Sequence, residues 1–244
     1  MSAATPLALA DRILVALDVE NVPEADGLLD RLRGVVTGCK IGTQLFTAAG
    51  PAAVESARKR GFRVFLDLKF HDIPNTVAGA VREATRLGVF MLNVHASGGS
   101  AMLRAASEAA AKAASDFSVP RPLCLAVTVL TSLERRALDT ELGVHSTVEA
   151  HVLRLAELAH DAGLDGCVAS PREIAPLRNS HGRSWVIVTP GIRSGAPAGT
   201  DDQARTATAR AAVRAGADYL VVGRPITKAA DPAAAATALL EEIR

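Results

Sequence analysis

Residues 63–95 read RVFLDLKFHDIPNTVAGAVREATRLGVFMLNVH, from Arg63 to His95. The stretch begins and ends in short apolar runs, Arg63–Lys69 and Phe90–His95, each the length of a strand buried on both faces. Between them, residues 74–87 open with Pro74, which suits the first turn of a helix. The unit is therefore strand, helix, strand, and its two strands run parallel. Working outward, the same alternation predicts strands at Ile13–Asp18, Val35–Ile41, Leu123–Val129, Gly166–Ala169, Trp185–Thr189 and Tyr219–Val222. The remaining helices are expected near 22–33, 44–60, 100–115, 147–162, 171–178, 201–215 and 231–243. Val152, Leu155, Ala156 and Ala159 illustrate their 3.6-residue apolar spacing. Eight strand–helix units in 244 residues favour closure into a (β/α)8 TIM barrel over an open doubly wound sheet.

Composition narrows the function classes. With 49% hydrophobic residues the chain can bury a large core, which excludes disorder and a disulfide-stapled miniprotein. A formal net charge of +1 gives no field for gripping nucleic acid or an anionic membrane, and 3% aromatics leave little for stacking single-stranded bases. Cys39, Cys124 and Cys167 have neither metal-ligand nor paired spacing and read as reduced core residues. The start, MSAATPLALADR, lacks a basic region ahead of an apolar stretch, and no run approaches a membrane span. The expectation is a cytoplasmic protein of one domain, 1–244, with residues 1–11 as an N-terminal extension.

In a barrel of this kind chemistry sits where strands end. Here the first strand ends in Asp18, the second in Lys40, and the third in Asp67 and Lys69. The chain has only five lysines, so two at strand ends are informative. Asp67 and Lys69, two apart, are expected on one strand face, with Lys40 flanking Asp67 from the neighbouring strand. A structural ion-pair cluster is the plainer alternative, but buried ions are expensive to desolvate and tend to mark function. Asp72 precedes Pro74 and suits either a site or a helix start. Further along the chain, Thr189-Pro190-Gly191-Ile192-Arg193 follows the seventh strand and Gly223-Arg224-Pro225 the eighth, the usual place of a phosphate site. Ser194–Asp202 is small and polar, which suits a mobile lid or a plain surface loop. His95 is expected near the site in an orienting role, His151 and His160 on a helix surface, and Trp185 and Phe65 in the core. Ser170 suits a helix cap or a ligand contact.

The string DLKFHDIPNT (67–76), together with LDV near the start, CKIGTQLF, NVHASGG, VTVLTS, TPGIR and VVGRPIT, resembles the orotidine 5′-phosphate decarboxylase family. These motifs occur in the family's order across residues 13–227. The resemblance implies a homodimer that converts orotidine 5′-phosphate to uridine 5′-monophosphate (UMP) with neither metal nor organic cofactor. It implies Lys69 as proton donor, with Asp67 against the substrate carboxylate. Lys40 and Asp72 complete an alternating charge chain, in which Asp72, Ile73 and Thr76 reach the active site of the partner subunit. By the same resemblance Leu68, Phe70, His71, Pro74 and Asn75 belong to the substrate-binding stretch. Asp18 and Lys40 hold ribose hydroxyls, Thr131 lies at the pyrimidine, and Arg193, Gln203, Gly223 and Arg224 hold the phosphate. The nearest rival is a Mg2+-dependent sugar-phosphate decarboxylase or aldolase of the same superfamily, which needs an acidic residue where this chain has Lys40. A catalytically dead nucleotide sensor is the rival of a different class.

Overall fold

The computed structural model describes residues 7–193 and 207–244. Its strands are β1 (Ile13–Ala16), β2 (Gly38–Gly42), β3 (Arg63–Phe70), β4 (Met91–His95), β5 (Leu123–Val127), β6 (Gly166–Val168), β7 (Val186–Thr189), β8 (Ile192–Arg193), β9 (Ala207–Thr208) and β10 (Tyr219–Val222). Eight of them form a closed parallel barrel in the order β1-β10-β7-β6-β5-β4-β3-β2, closing where β1 pairs with β2. The TIM barrel expected from the sequence is therefore present. β8 and β9, absent from the sequence reading, form a separate two-stranded parallel sheet above the seventh barrel strand.

The helices are α1 (Val22–Leu32), α2 (Thr43–Ala49), α3 (Pro51–Lys59), α4 (Pro74–Arg86), α5 (Gly99–Phe117), α6 (Arg135–Thr140), α7 (Val148–Asp161), α8 (Ile174–His181), α9 (Ala209–Ala215), α10 (Arg224–Thr227) and α11 (Pro232–Glu242). The helix expected over 44–60 is two helices. Gly50 breaks it at φ +57°, a conformation that favours glycine, and Pro51 then starts the next helix because its missing N–H costs nothing there. Helix starts are closed by side chains: Asn21 accepts the N–H of Glu24, Thr147 that of Ala150, and Asp231 those of Ala233 and Ala234.

The strand pleat sorts the apolar residues into two layers. Leu14, Ala16, Phe65, Met91, Leu125, Val188, Tyr219 and Val221 fill the barrel interior. Their neighbours, such as Ile13, Val15, Ile41, Leu66, Leu92 and Ile187, face the helices and pack against Leu29, Val81, Met102 and Val152. Both faces of each strand are thus buried, which is why the runs read as continuously apolar. Below the barrel the charges are tied structurally: Arg63 to Asp11 at 2.9 Å and Arg121 to Asp165 at 2.8 Å. The upper end is where charges are left facing a hollow. No helix among the described residues is long and apolar enough to cross a membrane.

Candidate active site

A hollow of about 440 Å3 opens at the C-terminal ends of the barrel strands. Its floor is apolar, from Ala16, Phe65, Val127, Val168 and Val221. One stretch of its wall carries Asp18, Lys40, Asp67 and Lys69, and the adjoining stretch, beyond β7 and β10, carries Pro190–Arg193, Gly223 and Arg224. Thr131, beyond β5, also lines it.

The charged wall is an alternating chain laid across three adjacent strands. Lys40 Nζ donates to Asp18 Oδ1 at 3.0 Å and stands 3.5 Å from Asp67 Oδ2, while Lys69 Nζ donates to Asp67 Oδ1 at 2.7 Å. The Lys40 and Asp67 side chains are only 11% and 14% exposed, whereas Lys69 at 34% reaches into the opening. Burial by itself would raise the Asp67 carboxyl. The Lys40 and Lys69 ammoniums, with hydrogen bonds from Lys69 and Asn93, outweigh it and hold the group below the ordinary carboxylate range. The carboxylate is therefore fixed in its charged form between two cations.

The backbone that presents this pair departs from regular strand geometry. From Leu66 to Phe70 β3 advances four residues while β4, from Leu92 to Val94, advances two, so the ladder is interrupted at the chemistry. Lys69 takes φ +53°. For a residue with a Cβ this left-handed conformation costs on the order of 1–2 kcal/mol. Such irregularities re-aim side chains beside functional sites. Asn93 of β4, fully buried, fills the interrupted register. Its Oδ1 accepts the backbone N–H of Lys69 at 2.8 Å, and its Nδ2 donates to Asp67 Oδ1 at 2.7 Å.

The sequence-predicted residues divide by location. Asp18, Lys40, Asp67, Lys69, Thr131, Arg193, Gly223 and Arg224 line the hollow. Leu68 and Phe70 do not: they point to the outer layer and line an apolar hollow with Phe46, Leu66 and Ala84. His71, Asp72, Ile73, Pro74, Asn75 and Thr76 form an exposed loop and helix start outside this chain's hollow. Asp72 Oδ1 accepts the N–H of Ile73 at 2.6 Å, and the Ile73 side chain is 68% exposed. Gln203 and the stretch 194–202 read as a lid lie outside the described residues. His95 ends β4, 5.2 Å ring to ring from His71, and its burial, then the neighbouring His71 and Lys69 charges, lower its proton affinity. Ser170 is buried at a helix start, its N–H donating to Glu173 Oε2 at 2.7 Å. Trp185 and Phe65 are buried, although Phe65 also forms floor of the hollow.

Two residues at the site escaped the sequence reading. Asn93 opens the NVHASGG motif but carries no role in the sequence analysis, its further signal being an amide among the apolar residues of β4. Lys228, which lines the hollow where Asn93 stands behind it, is one of the five lysines and follows Arg224 by one helical turn. Among the described residues no three His, Cys, Asp or Glu side chains are grouped to hold a metal ion.

Known proteins give the same picture along the whole chain. The profile of the orotidine 5′-phosphate decarboxylase / HUMPS family matches residues 11–239. The orotidine 5′-phosphate decarboxylase of Moorella thermoacetica is 57% identical over 235 residues, 96% of this chain and 92% of that protein. The protein of the same name from Trichlorobacter lovleyi is 50% identical over 233 residues, 96% and 95% of the two chains. Among solved structures, the orotidine 5′-phosphate decarboxylase of Lactobacillus acidophilus superposes with a TM-score of 0.84 at 35% identity, covering 96% of this chain and 99% of that one. Profile, relatives and barrel agree from the first strand to the last helix, and the chain belongs to the orotidine 5′-phosphate decarboxylase / HUMPS family.

Proposed function

We propose that this chain decarboxylates orotidine 5′-phosphate to UMP and CO2, the closing step of de novo pyrimidine biosynthesis, as a cytoplasmic homodimer using neither metal nor organic cofactor. The observation that carries the reading is the Lys40–Asp67–Lys69 array in the wall of a hollow whose adjoining stretch bears Arg193 and Arg224. A nucleotide spans such a hollow: phosphate at the arginines and the Gly223 backbone, ribose hydroxyls at Asp18 and Lys40, pyrimidine near Thr131, and the reacting C6 at Lys69.

The reaction breaks the bond between C6 and the carboxylate carbon and leaves its electron pair on C6, where little delocalisation stabilises it. The Lys69 ammonium, already fixed in place, stabilises that charge as it develops and then delivers its proton to C6. CO2 departs, UMP remains, and the neutral Lys69 amine regains a proton from water. Asp67, held ionised, stands against the substrate carboxylate and disfavours the bound reactant more than the transition state. The barrier reduction required is on the order of 20 kcal/mol, in the upper part of the enzymatic range. Three side chains at C6 are insufficient for that, so phosphate binding at Arg193 and Arg224, with Gln203 from the following segment, supplies binding energy that makes the charged site productive. Two ammoniums flank the inward carboxylate, an arrangement that repels a divalent cation and disfavours the Mg2+-dependent sugar-phosphate reading. The exposed loop bearing Asp72, Ile73 and Thr76 suits a role in the partner's site, where a bare isoleucine would be covered.

The test is the fall in ultraviolet absorbance of orotidine 5′-phosphate with purified protein, with and without EDTA. Loss that EDTA leaves unchanged and Lys69→Ala abolishes is the expected result. No loss, or loss only with Mg2+, overturns the reading.

A further inference from the structure

Asn93 touches both groups that the proposed reaction needs, yet its side chain does not line the hollow. Its amide orientation is set by chemistry: the backbone N–H of Lys69 requires an acceptor and the Asp67 carboxylate requires a donor, so Oδ1 faces the first and Nδ2 the second. A fully buried side chain with both ends satisfied has no rotational freedom to lose. At this point the ladder between β3 and β4 is broken, and the Asn93 amide stands in for it.

We propose that Asn93 is a positioning residue for the decarboxylation: one amide holds Lys69 in its left-handed turn and orients Asp67, so that ammonium and carboxylate meet at C6 in fixed register. The inference rests on the reaction proposed above and deepens it. Both contacts converge on one short chain of atoms. Asp67 Oδ1 takes the Lys69 Nζ and the Asn93 Nδ2 together, leaving Oδ2 towards Lys40. Without the amide, the Lys69 backbone has no acceptor to secure its unfavourable φ, and the Asp67 plane is free to rotate. The phosphate contacts, from Arg193 and Arg224, and the ribose contact at Asp18 do not involve Asn93. Loss of Asn93 therefore lowers kcat rather than nucleotide affinity.

Two variants test this. Asn93→Leu keeps the size of the side chain and removes both hydrogen bonds. The expected outcome is a kcat reduced by about 100-fold, the cost of a misplacement near 1 Å, with UMP affinity by calorimetry changed less than about threefold. Asn93→Asp places a second carboxyl against Asp67, with Lys69, Lys40 and His95 the other titratable groups nearby. β5, on its other side at Leu123–Val127, brings no charge. When the carboxyl pair holds one proton, it donates to Asp67 and still accepts the Lys69 N–H, reproducing the native pattern. When both ionise, they repel. The Asn93→Asp activity, taken relative to wild type at each pH, is therefore expected to fall as pH rises through the range in which the pair loses its shared proton. A merely structural role would move stability in both variants and leave this relative profile flat. Asn93→Leu with kcat within about threefold of wild type, or Asn93→Asp with a flat relative profile, overturns the inference while wild type stays active. A wild-type chain that does not turn over orotidine 5′-phosphate overturns the proposed function itself and this inference with it.

Discussion

Gly42 closes β2 beside the charged wall, its backbone opposite Asp67 in the ladder. Its φ of −91° and ψ of −177° suit any residue, so replacing it by alanine brings no backbone strain. The added Cβ would lie 3.0 Å from Lys40 Nζ and 3.6 Å from Asp18 Oδ1. Ordinary contact starts at 3.4 Å, so the ammonium must retreat by about 0.4 Å, and it can, being the far end of a flexible chain. The methyl is therefore cheap for the fold and disruptive for the site. Since misplacement by about 1 Å costs roughly 100-fold, half that shift predicts a kcat/KM about tenfold lower, near 1.4 kcal/mol of transition-state stabilisation. The melting temperature should hold or rise by about 1–3 °C, because alanine narrows the unfolded ensemble. The assay is the ultraviolet decarboxylation rate beside a thermal melt. A Gly42→Ala protein with kcat/KM within about twofold of wild type would refute the claim that Lys40 is set to a few tenths of an ångström.

Gly166→Ala reverses that pattern: its Cβ would sit 2.1 Å from the Val186 carbonyl oxygen, backbone of the next barrel strand, and a closed barrel cannot open to admit it. A loss of about 3 kcal/mol and a melting point lower by about 6–12 °C are expected, whereas Gly27→Ala on the open face of α1 should raise it. Equal melting points for the two variants would contradict the packing described. Asp67 is held below the ordinary carboxylate range, so its ionised form adds stability above about pH 4 that disappears as pH falls through its folded value. The melting difference between wild type and Asp67→Asn should accordingly be full at neutral pH and shrink in acid; a gap that widens in acid would reverse the sign. Finally, if Asp72 serves the partner's site, mixing inactive Lys69→Ala and Asp72→Asn chains should restore about a quarter of wild-type activity, since half the dimers are hybrids with one intact site of two. No recovery after verified exchange would place each site within one chain.

The barrel was legible because parallel strands buried on both faces leave continuous apolar runs, and Tyr219–Val222 matches the observed strand end for end. Boundaries overshot by two residues at two strand ends: β1 stops at Ala16, before Leu17 and Asp18, although the Leu17 N–H still bonds the Lys40 carbonyl at 2.9 Å, and β5 stops at Val127, before Thr128 and Val129. The charged wall was legible because carboxylates and ammoniums at strand ends are costly to bury for packing alone. Leu68 and Phe70 belong to the substrate-binding stretch by membership of a motif alone, and a motif specifies a stretch of chain and not the direction of each side chain. Asn93 was illegible for the opposite reason: its significance lies in a register shift between two strands, which no spacing within either strand records.

The left-handed turn at Lys69 has a consequence for how this chain can drift. Glycine or asparagine would suit that backbone better than lysine, so at position 69 the local backbone favours a residue that lacks the ammonium, and only the ion pair to Asp67 and the reaction favour lysine. Backbone preference and turnover pull against each other at a single codon. An inactive descendant of this chain, freed from the second pressure, should be found with a small or amide side chain at position 69 and with its barrel intact.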